Sequence, residues 1–174
     1  RAVRYGNPAE AQAGALEMGP LIEARAAEAV AAKVARAVEQ GATLVCGGQR
    51  AEGKGYFFQP TVLTDVRNDM DIMRQEIFGP VLPIAVFDEL DEAIALANDC
   101  AFGLTSSVYT NNLNEAFYVI RRLQFGETYV NRENFEAMQG FHAGWKQSGL
   151  GGADGKHGLE EFLQTQVVYL ETDI

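Results

Sequence analysis

Between Leu21 and Asn131 the hydrophobic period of the chain switches repeatedly, and this alternation limits the possible folds more than any other feature. From Leu21 to Gln40 apolar residues recur at helical spacing, with Ala27, Val30, Val34 and Val38 on one face and Arg25, Glu28, Arg36 and Glu39 off it. Gly41 supplies the stop. Thr43 to Cys46 reads as a short buried strand before a Gly47-Gly48 loop. Tyr56 to Val66 is rich in aromatic and β-branched residues, and Pro60 predicts an edge or a bulge within that strand. Strands at Val81–Phe87, Ser106–Tyr109 and Glu127–Asn131 then alternate with helices at Leu90–Asn98, with Asp88 as a cap, and Leu113–Leu123. Such alternation predicts an α/β domain with a largely parallel sheet.

Composition narrows the function classes. At 174 residues, 47% hydrophobic and 22% charged, the chain predicts one globular domain able to bury its own core. A formal net charge of -10, with no basic stripe to offset it locally, argues against nucleic acid and against an anionic membrane surface. No apolar run is long enough to span a bilayer, and no signal peptide is recognisable. Cys46 and Cys100 lie far apart without zinc-ligand spacing, and His142 and His157 complete no metal cluster. So few cysteines suit a reducing cytoplasm. The first residue is Arg1 rather than methionine, which reads as a processed or truncated chain.

Two later stretches differ in character. Seven glycines fall between Gly140 and Gly158, which suits a winding loop that approaches other backbone closely. From Gln164 to Leu170 apolar residues occupy both faces of a strand pattern. That strand either closes the chain's own sheet or pairs with an edge in another subunit, and the pattern alone does not choose.

Glu76-Ile77-Phe78-Gly79-Pro80-Val81 carries the first chemical signal. Pro80 pushes Gly79 out of helical geometry, so the chain turns and runs into a strand. Glu76 and Phe78 are thereby placed at the mouth of that strand, where α/β folds tend to hold ligands. A carboxylate there can accept from both hydroxyls of a ribose, and a phenyl ring can wall a planar group. The plainer alternative is a surface glutamate and a core phenylalanine beside a turn.

The wider pattern adds to this. The same six residues resemble a motif of the aldehyde dehydrogenases, and the resemblance continues in order along almost the whole chain. It includes Gly19-Pro20-Leu21-Ile22, Gly41-Ala42, Gly47-Gly48, Gly55-Tyr56-Phe57 and Pro60-Thr61-Val62-Leu63. It continues through Ala97-Asn98, Phe102-Gly103-Leu104, Tyr129-Val130-Asn131, Lys146, Ser148-Gly149 and Gly158-Leu159. The resemblance implies an aldehyde dehydrogenase catalytic-domain fold in residues 1–148, a glycine-rich crossover with a short helix in 149–163, and an oligomerisation strand with a tail in 164–174. The family's N-terminal Rossmann domain is absent from this sequence. The resemblance also implies that Glu76 binds the nicotinamide ribose of NAD or NADP, with NAD favoured, and that Phe78 packs near the nicotinamide.

The loop between Asn131 and Gly149 bears on substrate. Glu136 and His142 match positions where relatives acting on apolar aldehydes carry aromatic pocket residues. Hydrogen-bonding groups there favour a substrate with a hydroxyl, because they would otherwise be left unpaired. Together with Gly151 to Gly158, this loop resembles the lactaldehyde/glycolaldehyde dehydrogenases within the family. The alternative is that Glu136 and His142 are solvated loop residues, and His142 can also serve as a proton shuttle. Gly152 and Gln166 stand where many relatives have arginine and lysine, so those salt links are missing.

The reaction implied by the resemblance begins with attack of a cysteine thiolate on the aldehyde. Hydride leaves the thiohemiacetal for the nicotinamide, and a glutamate-activated water releases the acid. The family's thiolate sits in a Gly-Gln-x-Cys context that this sequence lacks, so Cys46 and Cys100 read as small packing residues and no catalytic residue is expected here. The expectation is therefore the C-terminal part of an enzyme oxidising small hydroxyaldehydes, homo-oligomeric through residues 164–170 and inactive alone. The alternative is a non-catalytic remnant or assembly module.

Overall fold

The first helical period becomes α1 (Ala24–Glu39), whose inward face is Ala27, Val30, Val34 and Ala37 rather than Val38. At about 100° per residue Val38 falls at the margin of the stripe, and it remains 43% exposed. Gly41 ends the helix as expected, at a φ of 107° that suits glycine. Its N–H donates to the Val38 carbonyl at 3.0 Å and the Ala42 N–H to the Ala37 carbonyl at 2.9 Å, which satisfies two terminal carbonyls.

The computed structural model describes residues 3–12 and 14–172. The chain divides into two compact units after Leu90, a boundary that no sequence signal marks. In the first unit β1 (Thr43–Cys46) pairs antiparallel with β2 (Thr61–Thr64), and β2 pairs parallel with β3 (Val81–Pro83). A one-turn helix, α2 (Asp71–Arg74), precedes β3. The core joins Val30, Val34 and Ala37 of α1 to Phe58, Leu63, Val66, Met70 and Ile72. Full burial of side chains such as Phe58 and Leu63 contributes roughly 1.5–3 kcal/mol each.

Three expectations need correction in this unit. β1 is a strand but every residue in it is exposed, so Cys46 is not a buried packing residue. The Tyr56–Val66 strand contracts to Thr61–Thr64, because Pro60 has no N–H to give a ladder and its carbonyl accepts from the Cys46 thiol and faces Gly47. The strand after Pro80 is also shorter than expected: it stops at Pro83, with the Ile84 N–H still donating to the Leu63 carbonyl at 2.9 Å. Gly47 has a φ of 74°, and a Cβ there would lie 2.3 Å from the Pro60 carbonyl oxygen, so the Gly47-Gly48 turn is required by close backbone approach.

The second unit holds α3 (Leu90–Asn98, beginning at the boundary), β4 (Phe102–Gly103), β5 (Thr105–Val108), α4 (Leu113–Ile120) and β6 (Glu127–Val130). They are followed by β7 (His142–Ala143), β8 (Trp145–Lys146), β9 (Gly152–Ala153) and α5 (Gly155–Glu160). Asn112 caps α4 by accepting from the Asn114 N–H at 3.0 Å. β5 and β6 run parallel, in register from Thr105↔Glu127 to Val108↔Val130. β4–β8 and β7–β9 are two-residue antiparallel pairs. The α/β class therefore stands, but the single largely parallel sheet is replaced by four small sheets. Strands of two to four residues cannot carry one continuous ladder.

Asn98 explains one of the matched fragments. Its amide donates to the Arg122 carbonyl at 2.8 Å and accepts from the Gln124 N–H at 2.8 Å, tying the end of α3 to the turn after α4. Residues 164–170 form no strand and pair with no other segment among the described residues, and all are exposed. They do not close the chain's own sheet.

Candidate functional site

Glu76 and Phe78 lie together in the link between α2 and β3, at the entry end of β3. The link is held from α1. Lys33 Nζ donates to the Glu76 carbonyl, and a Cβ on Gly79 would lie 2.5 Å from Val30 Cγ2, so glycine permits the link to rest on the helix. The Thr61 N–H donates to the Pro80 carbonyl at 2.9 Å and the Val81 N–H to the Gly79 carbonyl at 2.8 Å. Arg36 of α1 also grips Asp71 of α2 at 3.1 Å.

Phe78 has a φ of 53°, a left-handed conformation uncommon for a bulky residue. Its ring is 79% exposed and lines an open groove of about 460 Å³ with Pro20, Leu21, Phe58 and Pro80. It is thus not the core phenylalanine that a plain reading allowed. Glu76 is exposed beside it.

The second candidate site lies in the second unit. Parallel pairing with β5 sets β6, and its period of two puts Glu127 and Tyr129 on one face. Tyr129 Oη donates to Glu127 Oε2 at 2.8 Å. The same carboxylate oxygen lies 3.1 Å from His142 Nδ1, with the two side chains 13% and 31% exposed. The distance is that of a hydrogen bond but the direction is not, since Nδ1 is buried and makes no aligned bond. We therefore treat this pair as a close electrostatic contact.

Partial burial, then the bond to Glu127, then the charges of Glu127 and Glu136 push the Tyr129 phenol up to about 12, against a smaller opposing effect of Arg132. Glu136 is itself exposed but lies within electrostatic reach of the Tyr129 hydroxyl. Arg132 sits 5.5 Å from the Tyr129 ring centroid and donates to the Phe135 carbonyl at 2.7 Å. Of the two loop residues singled out from sequence, His142 lies against Glu127, while Glu136 acts on the Tyr129 phenol only through its charge.

The loop is pinned at several points. Asn131 takes a φ of 56° and exchanges side-chain hydrogen bonds with the Thr110 backbone at 2.8 and 2.9 Å. Asn134 accepts from Ser107 Oγ and donates to Thr105 Oγ1 at 2.8 Å. At the far end His142 pairs with Ala153 and Ala143 with Gly152. Phe141 stacks on His157, with centroids 5.2 Å apart. Gly126 makes this packing possible, since a Cβ there would lie 1.5 Å from the Ala143 carbonyl oxygen.

Sequence reasoning missed Glu127 and Tyr129. Their shared face of a strand leading into the substrate loop is the signal that was available. Among the described residues no group of three His, Cys, Asp or Glu side chains is arranged to hold a metal ion, and no helix is long and apolar enough to cross a membrane.

Comparison with known proteins agrees in both sequence and fold. Residues 1–168 match the model of the aldehyde dehydrogenase family. Lactaldehyde dehydrogenase of Escherichia coli strain K12 is 63% identical over 99% of this chain and 36% of its own length. The 3,6-anhydro-alpha-L-galactose dehydrogenase of Streptomyces coelicolor is 48% identical over 94% of this chain and 34% of its own. The crystal structure of the Escherichia coli lactaldehyde dehydrogenase superposes with a TM-score of 0.94 at 64% identity, over 98% of this chain and 35% of that one. An NAD+ complex of an aldehyde dehydrogenase from Bacillus cereus gives 0.93 at 36% identity, over 98% of this chain and 34% of that one. The chain spans about a third of the length of these relatives.

Proposed function

Since the chain belongs to the aldehyde dehydrogenase family, we propose that it forms the C-terminal part of an NAD(P)-dependent enzyme that oxidises small hydroxyaldehydes, lactaldehyde or glycolaldehyde, to the acids. The observation that carries the substrate class is the polar face formed by Glu127, Tyr129 and His142, with the Glu136 charge acting on the Tyr129 phenol. A hydroxyl entering this face finds both acceptors and donors. An unsubstituted aldehyde leaves them unpaired, which favours the hydroxylated substrate.

The residues around β3 fit a nicotinamide nucleotide. Glu76 offers a carboxylate able to accept from both hydroxyls of a ribose, and Phe78 offers an exposed flat ring beside it. When bound, the cofactor supplies the hydride acceptor. Lys33, Val30 and Gly79 hold the link so that Glu76 and Phe78 need little reordering when they engage it. NAD is favoured by the family resemblance alone, since among solved relatives one at 36% identity is an NAD+ complex and one at 44% is a complex with NAP.

The nucleophile and the general base are not assigned to any residue of this chain. Purified as given, it should not reduce NAD with glycolaldehyde. The exposed, unpaired segment 164–170 supports a homo-oligomer formed through that segment. The same segment also favours a second reading, in which the chain is a non-catalytic assembly module. A cytoplasmic setting follows from the paucity of cysteine and the free state of Cys46 and Cys100.

Kinetics of the complete protein test the substrate reading. Glu136→Phe and His142→Phe should each lower kcat/KM for glycolaldehyde by roughly tenfold or more relative to acetaldehyde, since a site built to pair a hydroxyl discriminates strongly. Equal losses on both aldehydes would remove the basis for a hydroxyl-reading pocket.

A further inference from the structure

The contact between Glu127 and His142 is close but angled, and both partners are held by backbone rather than by each other. Glu127 is set by the β5–β6 ladder, and its Oε2 is already engaged by the Tyr129 hydroxyl at 2.8 Å. His142 is set by its pairing with Ala153 and by the seating of Ala143 against Gly126. What remains free is rotation of the imidazole about its own side-chain torsions. Its Nδ1 is shut off from solvent and has no aligned partner, while 31% of the side chain stays open. A buried ring nitrogen needs a partner, and the carboxylate 3.1 Å away is the one at hand.

We propose that Glu127 is the positioning residue of the substrate pocket, turning His142 Nδ1 inward as the proton-bearing nitrogen and leaving Nε2 to accept from a substrate hydroxyl. A small turn of the ring brings the Nδ1–H into line with Oε2, and a contact at Nε2 favours that turn. Catalytic-site hydrogen bonds that are loose without substrate commonly tighten when it binds. The carboxylate also selects the tautomer, because the hydrogen bond made by one imidazole nitrogen decides which nitrogen is bare. The other charged groups acting on this cluster are Arg132, 5.5 Å from the Tyr129 ring centroid, and Glu136, whose charge reaches the Tyr129 phenol. Neither is placed to align Nδ1. The inference rests on the reading that His142 touches substrate.

With only two histidines in the chain, the tautomer can be read directly. Imidazole nitrogen NMR on the 174-residue chain, with His157→Gln used for assignment, should show His142 protonated mainly at Nδ1. Glu127→Gln should shift that population toward Nε2–H, whereas Tyr129→Phe, which keeps the carboxylate, should not. An unchanged tautomer in Glu127→Gln, or an equal shift in Tyr129→Phe, overturns the assignment.

In the complete protein, Glu127→Gln should raise KM for glycolaldehyde about tenfold, or about 1.4 kcal/mol, a larger rise than for acetaldehyde. His142→Phe separates the two claims. If His142→Phe raises the glycolaldehyde KM while Glu127→Gln changes neither KM nor tautomer, the positioning role fails and the substrate reading stands. If His142→Phe leaves the glycolaldehyde KM unchanged, the substrate reading itself fails.

Discussion

Replacing Gly126 with alanine is the sharpest perturbation the second unit offers. The added Cβ would sit 1.5 Å from the Ala143 carbonyl oxygen and 2.7 Å from its carbon. Ordinary contacts between such atoms lie near 3.5 Å, so the two backbones must part by about 2 Å. No rotamer can absorb this, because both colliding groups are main chain. The displaced residue belongs to the β7–β9 pair, and Gly152 on the other side is itself within 2.3 Å of the His142 carbonyl by the same construction. Overpacking of this kind costs about 1–3 kcal/mol, and the stiffer unfolded chain returns about 0.4–1 kcal/mol. The net is a loss of roughly 1–2 kcal/mol, or about 2–8 °C in Tm for a chain of this size. Trp145 is the single tryptophan and lies in the same unit, so its fluorescence reports the transition in urea or on heating. Gly19→Ala, whose Cβ would meet nothing nearer than Pro8 at 3.9 Å, serves as the control. A Gly126→Ala midpoint equal to wild type would refute the steric reasoning and the packing that seats His142.

Two further outcomes follow from the described geometry. Phe78→Gly relieves a left-handed backbone worth about 1–3 kcal/mol of strain while surrendering little burial, since the ring is 79% exposed. The denaturation midpoint of the chain should hold or rise, while nucleotide titration of the complete protein shows weaker NAD binding; a large loss of stability would argue for a packing role. The Tyr129 phenol, raised from the ordinary 10.0 to about 12, ionises later in the folded than in the unfolded chain. Its contribution to stability is therefore fully present below about pH 10 and is lost as pH rises toward about 12. Phenolate absorbance should show a late component that Tyr129→Phe diminishes, beside that of Tyr118, whose phenol is also raised by its bond to Asp91, and a Tyr129 that ionises with the exposed tyrosines would contradict the Glu127 contact.

Much of this was legible from local rules. α1, its glycine stop, α3, α4 and the positions of the strands β5 and β6 follow from period and punctuation, because each is decided within about four residues of itself. Sheet membership was not legible. Whether β2 joins β3 or β5 is decided by long-range pairing, and strands this short carry no register signal of their own. The exposure of β1 and Cys46 was also hidden, since an apolar strand looks the same whether or not a neighbour covers it. At the sites, Glu76, Phe78, Glu136 and His142 were visible through resemblance and residue type. The role of Glu127 was not, because it depends on a loop folding back by fifteen positions to bring His142 Nδ1 to within 3.1 Å of its carboxylate. The terminal pattern at 164–170 promised a strand, and only its lack of an internal partner shows that the chain's own sheet is not its destination.

The two ends of the substrate loop are anchored independently, by Asn131 on Thr110 and by the His142–Ala153 pair. Between those anchors the segment is tied again, by Asn134 to Ser107 and Thr105 of β5 and by Phe141 against His157 of α5. Glu136 makes neither tie. Polarity can therefore change at Glu136, over generations or in the laboratory, while the frame around it stays the same.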